Sequence, residues 1–322
     1  MKEIKVTKND SGQRIDRFLS KSFPLGQGQI CKLARKNCIK LNGKKCKPDT
    51  HIAENDIIKL FIPDEMLIPK AKTDSDDFTS VSDKIDIVYE DENILLVDKP
   101  VGMVVHEDES GDSDTLINRI KSYLYHKFEY RPENELSFAP ALCNRIDRNT
   151  CGIVIAAKNA ESLRILNQKI RDRELTKLYL CIACGKVTPD SATLTAYLEK
   201  NSDTNTVKIS DKKTKSNLTI KTKYKVIAYN GENSLIKVDL LTGRTHQIRA
   251  HLAYIGHALL GDGKYGNNKL NKKYGFKYQA LCSYELQFKF TTDAGCLSYL
   301  DGKCFKAKAP DFVKMFGGNI KL

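Results

Sequence analysis

The most informative segment of the chain is residues 144–157, which read NRIDRNTCGIVIAA. Asp147 lies between two arginines, and the apolar run that follows has the composition of a buried strand. A carboxylate between two cations is expected to be ionised and fixed in position. Thr150 and Gly152 favour a tight turn that aims it in one direction. An ordinary ion pair in a loop is the competing interpretation.

Around this segment the chain mixes strand patterns with helical patterns. Strand patterns occupy 85–89, 94–98, 152–157, 178–184, 221–228, 234–240 and 286–290, and helical patterns occupy 115–124, 160–171 and 245–255. Two of the strands are joined closely across Asn230-Gly231, which favours antiparallel pairing. We therefore predict an α+β fold with a mixed, mainly antiparallel sheet and flanking helices.

Composition limits the class of protein. The chain has 322 residues with 53 Lys and Arg against 40 Asp and Glu, a net charge of +13, and its mean hydropathy is −0.43. Its apolar runs are far shorter than the ~20 residues of a membrane span, and its first residues do not resemble a secretory signal. Ten scattered cysteines fit reduced thiols. These features predict a cytoplasmic protein without a membrane partner, and the positive charge favours a polyanion such as nucleic acid.

Charge also divides the chain. Residues 1–62 have 14 basic and 6 acidic residues, whereas residues 63–84 have 3 basic and 6 acidic residues and are rich in Ser and Thr. We predict a small basic domain over 1–62, an acidic linker over 63–84 and a larger domain over 85–322.

The small domain has two helical patterns, a hairpin signal at Asn42-Gly43 and a strand at 57–62. The segments SGQRIDRFL, IKLNG and NDII, in this order, resemble an S4 RNA-binding domain over about residues 10–62. That resemblance implies that basic side chains on the helices and after the turn contact structured RNA. The candidates are Arg14, Arg17, Lys32, Arg35, Lys36, Lys44 and Lys45. A solvated basic surface is the alternative.

Further motifs follow in a fixed order. They are YEDENILLVDKPVG (89–102), NRIDRNTCG (144–152), KLYL (177–180), LTGRTHQIR (241–249) and GDGKYG (261–266). Over about residues 85–290 the chain resembles the RluA family of pseudouridine synthases, and its S4-like N-terminus is similar to the family's large-subunit rRNA members. The resemblance implies an isomerase that breaks the C1′–N1 bond of a uridine, turns the base and rejoins it through C5. It implies RNA as partner, no required protein partner and no cofactor.

The resemblance also implies roles for individual residues. Asp147 would be the nucleophile or base, Arg244 would pair with it, and Tyr179 would stack on the base and help to remove the C5 proton. Arg145 would enter the gap that the flipped uridine leaves in the RNA, and Arg249 would contact RNA. Two routes stay open, attack of the carboxylate on C1′ or removal of a sugar proton to form a glycal.

Two residues depart from the family pattern. Asn144 stands where the family commonly has His, and Cys151 replaces a small hydroxyl residue. No metal site is expected, because the two cysteines of the C-x-x-C at 181–184 would face opposite sides of a strand. The G-x-G-x-x-G match at 261–266 lacks the strand before it and the helix after it that a dinucleotide site needs.

Three alternative functions remain at this point. A non-catalytic RNA-binding or ribosome-assembly factor could share the fold, and a synthase could act on tRNA instead of rRNA. A base-excising glycosidase is the third alternative, although it would be expected to present paired carboxylates.

Overall fold

Two separate β-sheets organise the chain. The computed structural model describes residues 1–68, 78–107, 111–201, 206–317 and 320–322. Residues 69–77, the middle of the predicted acidic linker, therefore lie outside the described residues. Within the described ranges, none of the helices combines the length and apolar character needed to cross a membrane.

The N-terminal sheet has four strands in the order β1-β4-β2-β3, all antiparallel. Its elements are β1 (Lys2–Lys5), α1 (Ile15–Ser22), α2 (Gln27–Arg35), β2 (Ile39–Leu41), β3 (Lys44–Lys45) and β4 (Ile57–Leu60). Asn42 and Gly43 both have positive φ, 50° and 78°, as a two-residue hairpin turn requires. Phe18, Leu19 and Ile30 of the two helices are fully buried in a core that belongs to these elements. We call them the N-terminal unit.

The large sheet has eleven strands, nine of them in the order β11-β10-β12-β13-β9-β14-β8-β6-β5. Its strands are β5 (Ile87–Glu90), β6 (Ile94–Lys99), β7 (Ala141–Leu142), β8 (Cys151–Ala157), β9 (Leu175–Cys184), β10 (Ser191–Asn201), β11 (Thr206–Ser210), β12 (Leu218–Tyr229), β13 (Asn233–Asp239), β14 (Leu281–Phe288) and β15 (Cys304–Lys306). The additional strands are β7, which pairs with β8, and β15, which pairs with β14. The pairing of β8 with β14 is parallel, and the other pairings between these described strands are antiparallel.

Helices cover both faces of the large sheet. They are α3 (Leu116–His126), α4 (Ala160–Arg171), α5 (Gln247–Tyr254) and α6 (Asn268–Lys273). Leu116 of α3 and Ile248 of α5 pack into one core cluster, and Leu166 of α4 packs into another with β14 residues. The sheet is thus buried between helical layers, which confirms the predicted α+β class.

The start and the length of helix α4 follow from its local sequence. Asn159 caps its start, because its side chain accepts a hydrogen bond from the Ser162 amide at 2.8 Å. The helix spans the residues 160–171 that the periodicity predicts.

Hydrogen bonds join the N-terminal unit to the part of the chain that contains the large sheet and its helices. Gln13 Nε2 donates to Ser137 Oγ at 2.8 Å, and Ser137 Oγ donates to Asp10 Oδ1 at 2.6 Å. Arg164 Nη1 of α4 donates to the Ser11 carbonyl at 2.8 Å. The segment that precedes α1 therefore connects the N-terminal unit to the rest of the protein through hydrogen bonds.

Candidate active site

An open cavity of about 300 Å³ lies where the loop before β8, strand β9 and the start of α5 converge. Its lining combines five side chains that can carry positive charge, one carboxylate, one phenol and several apolar groups. The lining residues are Cys143, Asn144, Arg145, Ile146, Asp147, Thr150, Ile170, Lys177, Tyr179, Leu240, Gly243, Arg244, Thr245, His246, Gln247, Ile248, Arg249 and Leu281. The structure thus brings together the predicted residues Asp147, Tyr179, Arg244, Arg145 and Arg249.

The loop that presents Asp147 is a tight turn joined closely to a neighbouring strand. The Thr150 amide donates to the Asp147 carbonyl at 3.0 Å, which closes the turn. Gly152 then has φ +107°, and a Cβ built there would lie 2.2 Å from the Ser283 carbonyl oxygen of β14. Only glycine permits this approach of the two strands. The predicted aiming of Asp147 by Thr150 and Gly152 therefore has a structural basis.

Lys99 connects the loop after β6 to the turn that contains Asp147. Its side chain is fully buried, and its Nζ donates to the carbonyls of Pro100, Met103 and Arg148 at 2.8, 2.8 and 2.9 Å. Burial lowers the pKa of Lys99 to about 8, while the nearby Cys151 and Asp147 oppose that change. All three ammonium protons are used to hold backbone, so Lys99 supports the loop.

The arginine that contacts Asp147 is Arg249, and not the predicted Arg244. Arg249 Nη1 donates to Asp147 Oδ2 at 2.8 Å. Arg244 lines the same cavity but is exposed, and in the described part of the chain its side chain has no ion pair. The predicted pairing of Arg244 with Asp147 is therefore wrong. Arg249 is 5% exposed and is held by Asp147 and Asp262, and its contact with RNA stays a prediction.

Asp262 is a member of this site that the sequence motifs did not single out. It is fully buried and accepts hydrogen bonds from Arg249 Nε and Nη2 at 2.7 and 2.9 Å. Burial works against the charge of Arg249, but Asp262 and then Asp147 outweigh it and raise the pKa of Arg249. The result is a fixed series Asp262–Arg249–Asp147. The sequence signal for Asp262 is the GDGKYG segment at 261–266.

His246 approaches the same carboxylate from the start of α5. Its Nε2 is 3.9 Å from Asp147 Oδ2, and its Nδ1 is 3.0 Å from the Tyr265 hydroxyl, which also accepts from the Val207 amide at 2.8 Å. Because Tyr265 accepts from Val207, its proton is free to be donated to His246 Nδ1. Burial lowers the pKa of His246, although Asp147 opposes this. The Nε2 edge of the ring faces Asp147.

The turn before α5 is positioned by Gln247. Its Oε1 accepts from the Arg244 amide at 3.1 Å and from Thr242 Oγ1 at 2.8 Å, while its Nε2 donates to the Lys221 carbonyl at 3.0 Å. Gln247 is 2% exposed. The backbone beneath Arg244 is therefore fixed, while the Arg244 side chain stays exposed to solvent.

Comparison with known proteins decides the family. A family profile described as RNA pseudouridylate synthase matches residues 93–254, about half of the chain, and this range includes Asp147, Tyr179 and Arg249. The chain belongs to the RNA pseudouridylate synthase family. The predicted family is thereby confirmed, and the protein is an RNA-modifying isomerase.

Individual relatives agree with this family. An uncharacterised RNA pseudouridine synthase of Mycoplasma genitalium is 36% identical over 293 residues, which cover 88% of each chain. Ribosomal large subunit pseudouridine synthase C of Escherichia coli is 30% identical over 285 residues, which cover 85% of this chain and 82% of that protein. The solved structure of human RNA pseudouridylate synthase domain containing 1 has a TM-score of 0.54 at 21% identity, and the match covers 71% of this chain and 84% of that one. That last similarity shows a shared fold.

Tyr179 of this synthase is a protonated phenol. It is 6% exposed on β9, and burial raises its pKa to about 12, with Asp147 acting in the same direction. The side chain lines the cavity, which suits stacking on a base. At neutral pH it carries its proton, so a phenolate that removes the C5 proton does not fit this environment.

The two departures from the family pattern have separate structural roles. Asn144 Oδ1 accepts from the Ile155 amide at 2.8 Å, so its side chain holds the loop against β8. Cys151 Sγ lies 3.7 Å from the Leu281 carbonyl of β14. Neither side chain displaces Asp147 from the cavity.

The remaining predicted RNA-binding residues differ in exposure. Arg145 is exposed at the cavity, and six basic residues of the N-terminal unit are exposed, namely Arg17, Lys32, Arg35, Lys36, Lys44 and Lys45. Arg14 instead donates two hydrogen bonds to the buried Asp16, at 3.1 and 2.6 Å. Arg14 is thus held by an internal ion pair. Among the described residues, no three His, Cys, Asp or Glu side chains are placed to hold a metal ion.

Proposed function

We propose that this synthase converts uridine to pseudouridine in large-subunit ribosomal RNA and that Asp147 starts the reaction. The observation that carries the proposal is a carboxylate with one bound and one free oxygen inside a cavity. The contacts of Asp147 with Arg249 and His246 both involve Oδ2, and within the described ranges Oδ1 has no hydrogen bond. Its side chain is 26% exposed, so a substrate can reach it.

Arg249 fixes the direction of that carboxylate. Its guanidinium donates to Asp147 Oδ2 at 2.8 Å, and Asp262 prevents Arg249 from following the substrate. The free oxygen can attack C1′ or take a sugar proton, and both routes use an ionised Asp147.

Access to a uridine requires that the base leave its stack, which costs a few kcal/mol. Arg145 and Arg244 are exposed at the cavity and have no side-chain partner in the described part of the chain. They are suited to hold the phosphates beside the extruded nucleotide, and Arg145 is suited to occupy the gap. Tyr179 would stack on the base inside. The exposed lysines and arginines of the N-terminal unit would bind neighbouring folded RNA, as an S4 domain would.

The choice of ribosomal RNA draws on the E. coli relative, whose name assigns it to the large ribosomal subunit. The test is to map pseudouridines in ribosomal and transfer RNA from cells with and without this protein. We expect one or a few large-subunit sites to disappear, to return with the wild-type gene and to stay absent with Asp147→Asn. Loss confined to transfer RNA would reassign the substrate, and an unchanged map would refute the proposal.

A further inference from the structure

The cavity contains a cation that none of the roles above uses. Lys177 lies on β9 two residues before Tyr179 and lines the same cavity. Across the described chain its ammonium has no hydrogen bond, ion pair or ring contact. Arg145 and Arg244 are also unpaired, but both are exposed, whereas Lys177 is only partly exposed. Lys177 is therefore the unpaired cation that is removed from bulk water.

Such a position is costly for a lysine. Burial lowers the pKa of Lys177, because no acceptor or carboxylate compensates for lost hydration. The cavity residues Ile170 and Leu240 add apolar surface rather than acceptors. An ammonium that the protein leaves without an acceptor, in the wall of a substrate cavity, indicates that the substrate supplies one.

The reaction supplies an acceptor at this place, and this step rests on the proposed function. When the C1′–N1 bond breaks, its electron pair stays with the uracil ring, and the negative charge spreads over N1 and the carbonyl oxygens O2 and O4. The ring then forms the C5–C1′ bond, loses the C5 proton to a base and takes up a proton at N1, so that product and substrate are isomers. The charge on the detached ring arises in both routes open to Asp147.

We propose that Lys177 donates a hydrogen bond to a carbonyl oxygen of the uracil and stabilises the negative charge of the detached ring. Phosphates are the less suitable acceptors for Lys177, because they lie outside the base cavity, where Arg145 and Arg244 are exposed. A donor fixed in a partly desolvated site before charge develops is effective because little reorganisation is needed when the bond breaks.

The test compares Lys177→Met with a matched control. Lys225→Met removes an exposed strand lysine on β12 that does not line the cavity. The substrate is a transcript of the rRNA segment identified by mapping, and the measurements are the single-turnover rate, the dissociation constant for RNA and the melting temperature. We expect Lys177→Met to lower the rate about 100-fold or more, as loss of one such donor does elsewhere. RNA affinity should stay within threefold, and the melting temperature should equal or exceed that of the wild type. Lys225→Met should match the wild type in rate and melting temperature.

The melting temperature separates this role from a structural one. Replacing a lysine that stabilises the fold would lower the melting temperature, whereas replacing an unpaired, partly buried lysine would not. A Lys177→Met rate within threefold of the wild type overturns the proposal, and so does a slower rate accompanied by a lower melting temperature. If Lys177→Met is fully active while Asp147→Asn is inactive, only this inference fails. If the wild type converts no uridine in ribosomal or transfer RNA, the proposed function itself fails.

Discussion

Replacing Asp262 by Asn tests whether Arg249 depends on a buried anchor. Asp262 is fully buried, accepts two hydrogen bonds from Arg249, and accepts the Lys264 and Tyr265 amides at 2.8 and 3.1 Å. Burial alone would raise the pKa of Asp262, but Arg249 and these amides outweigh it and keep the pKa below its usual value. The amide of Asn keeps one acceptor oxygen and turns a donor group toward the guanidinium.

The expected cost follows from breaking a buried pair on one side. Removing one partner of such a pair typically costs about 3–5 kcal/mol, because the other charge stays buried without compensation. Arg249 keeps one bond to Asp147, which is partly exposed, so we expect about 3 kcal/mol. For a unit of this size, this corresponds to a fall of about 6–12 °C in melting temperature. Catalysis should also fall, because Arg249 no longer has a fixed position under Asp147.

The assay is urea unfolding and thermal melting of Asp262→Asn beside a control with the same chemical change. Asp311→Asn is the control, since Asp311 pairs with Lys314 at 2.6 Å on the surface, with both side chains more than 80% exposed. A surface ion pair of this kind contributes little to stability, so the control should have the same melting temperature as the wild type. If Asp262→Asn also melts within 2 °C of the wild type, the reasoning about the anchor is refuted.

Two further predictions concern the fold around the site. Gly152→Ala should destabilise the protein by about 3 kcal/mol or more in urea unfolding, because the new Cβ meets the Ser283 carbonyl at 2.2 Å. Gly231→Ala, with similar positive φ and open space, should cost only about 1 kcal/mol, and equal losses would contradict the steric argument. His251 is 1% exposed, and burial lowers its pKa to about 4 from 6.5. Its folded pKa is depressed, so stability falls as pH drops from 6.5 toward 4, by about 2 kcal/mol at pH 5. His251→Gln should reduce the difference in the free energy of unfolding between pH 7.5 and pH 5 by this amount. If that difference is unchanged in the variant, His251 is not its source.

Strong local signals made much of the fold predictable. The periodicity of α4, the apolar run of β8 and the Asn-Gly turn between β2 and β3 each depend on neighbouring residues, and the structure places all three where the sequence predicts them. The outer hairpin of β10 and β11 was not predicted. In β10 the exposed residues Ser191, Thr193 and Thr195 do alternate with the apolar residues Ala192, Leu194 and Ala196. Two of these three apolar residues are alanines, which give the alternation little hydrophobic contrast.

The sequence predicts which residues belong to the site, but it does not predict which of their side chains form pairs. Asp147, Tyr179 and Arg244 belong to motifs, and the structure brings all three to one cavity. Which arginine meets Asp147 depends on how the turn before α5 directs successive residues. Arg244 precedes the helix and is exposed, whereas Arg249, inside the helix, faces the carboxylates. Asp262 is 115 residues from Asp147 along the chain, so its connection through Arg249 exists only in three dimensions.

The role of Asp147 is tested most directly by the conversion of uridine by purified Asp147→Asn, measured with enzyme in excess over the rRNA segment found by mapping. Asn fills the same space but cannot attack C1′ as an anion or take a sugar proton. We expect no pseudouridine after many half-times of the wild-type reaction, with RNA affinity within threefold of the wild type. Conversion by Asp147→Asn at a rate within tenfold of the wild type would show that Asp147 does not start the reaction.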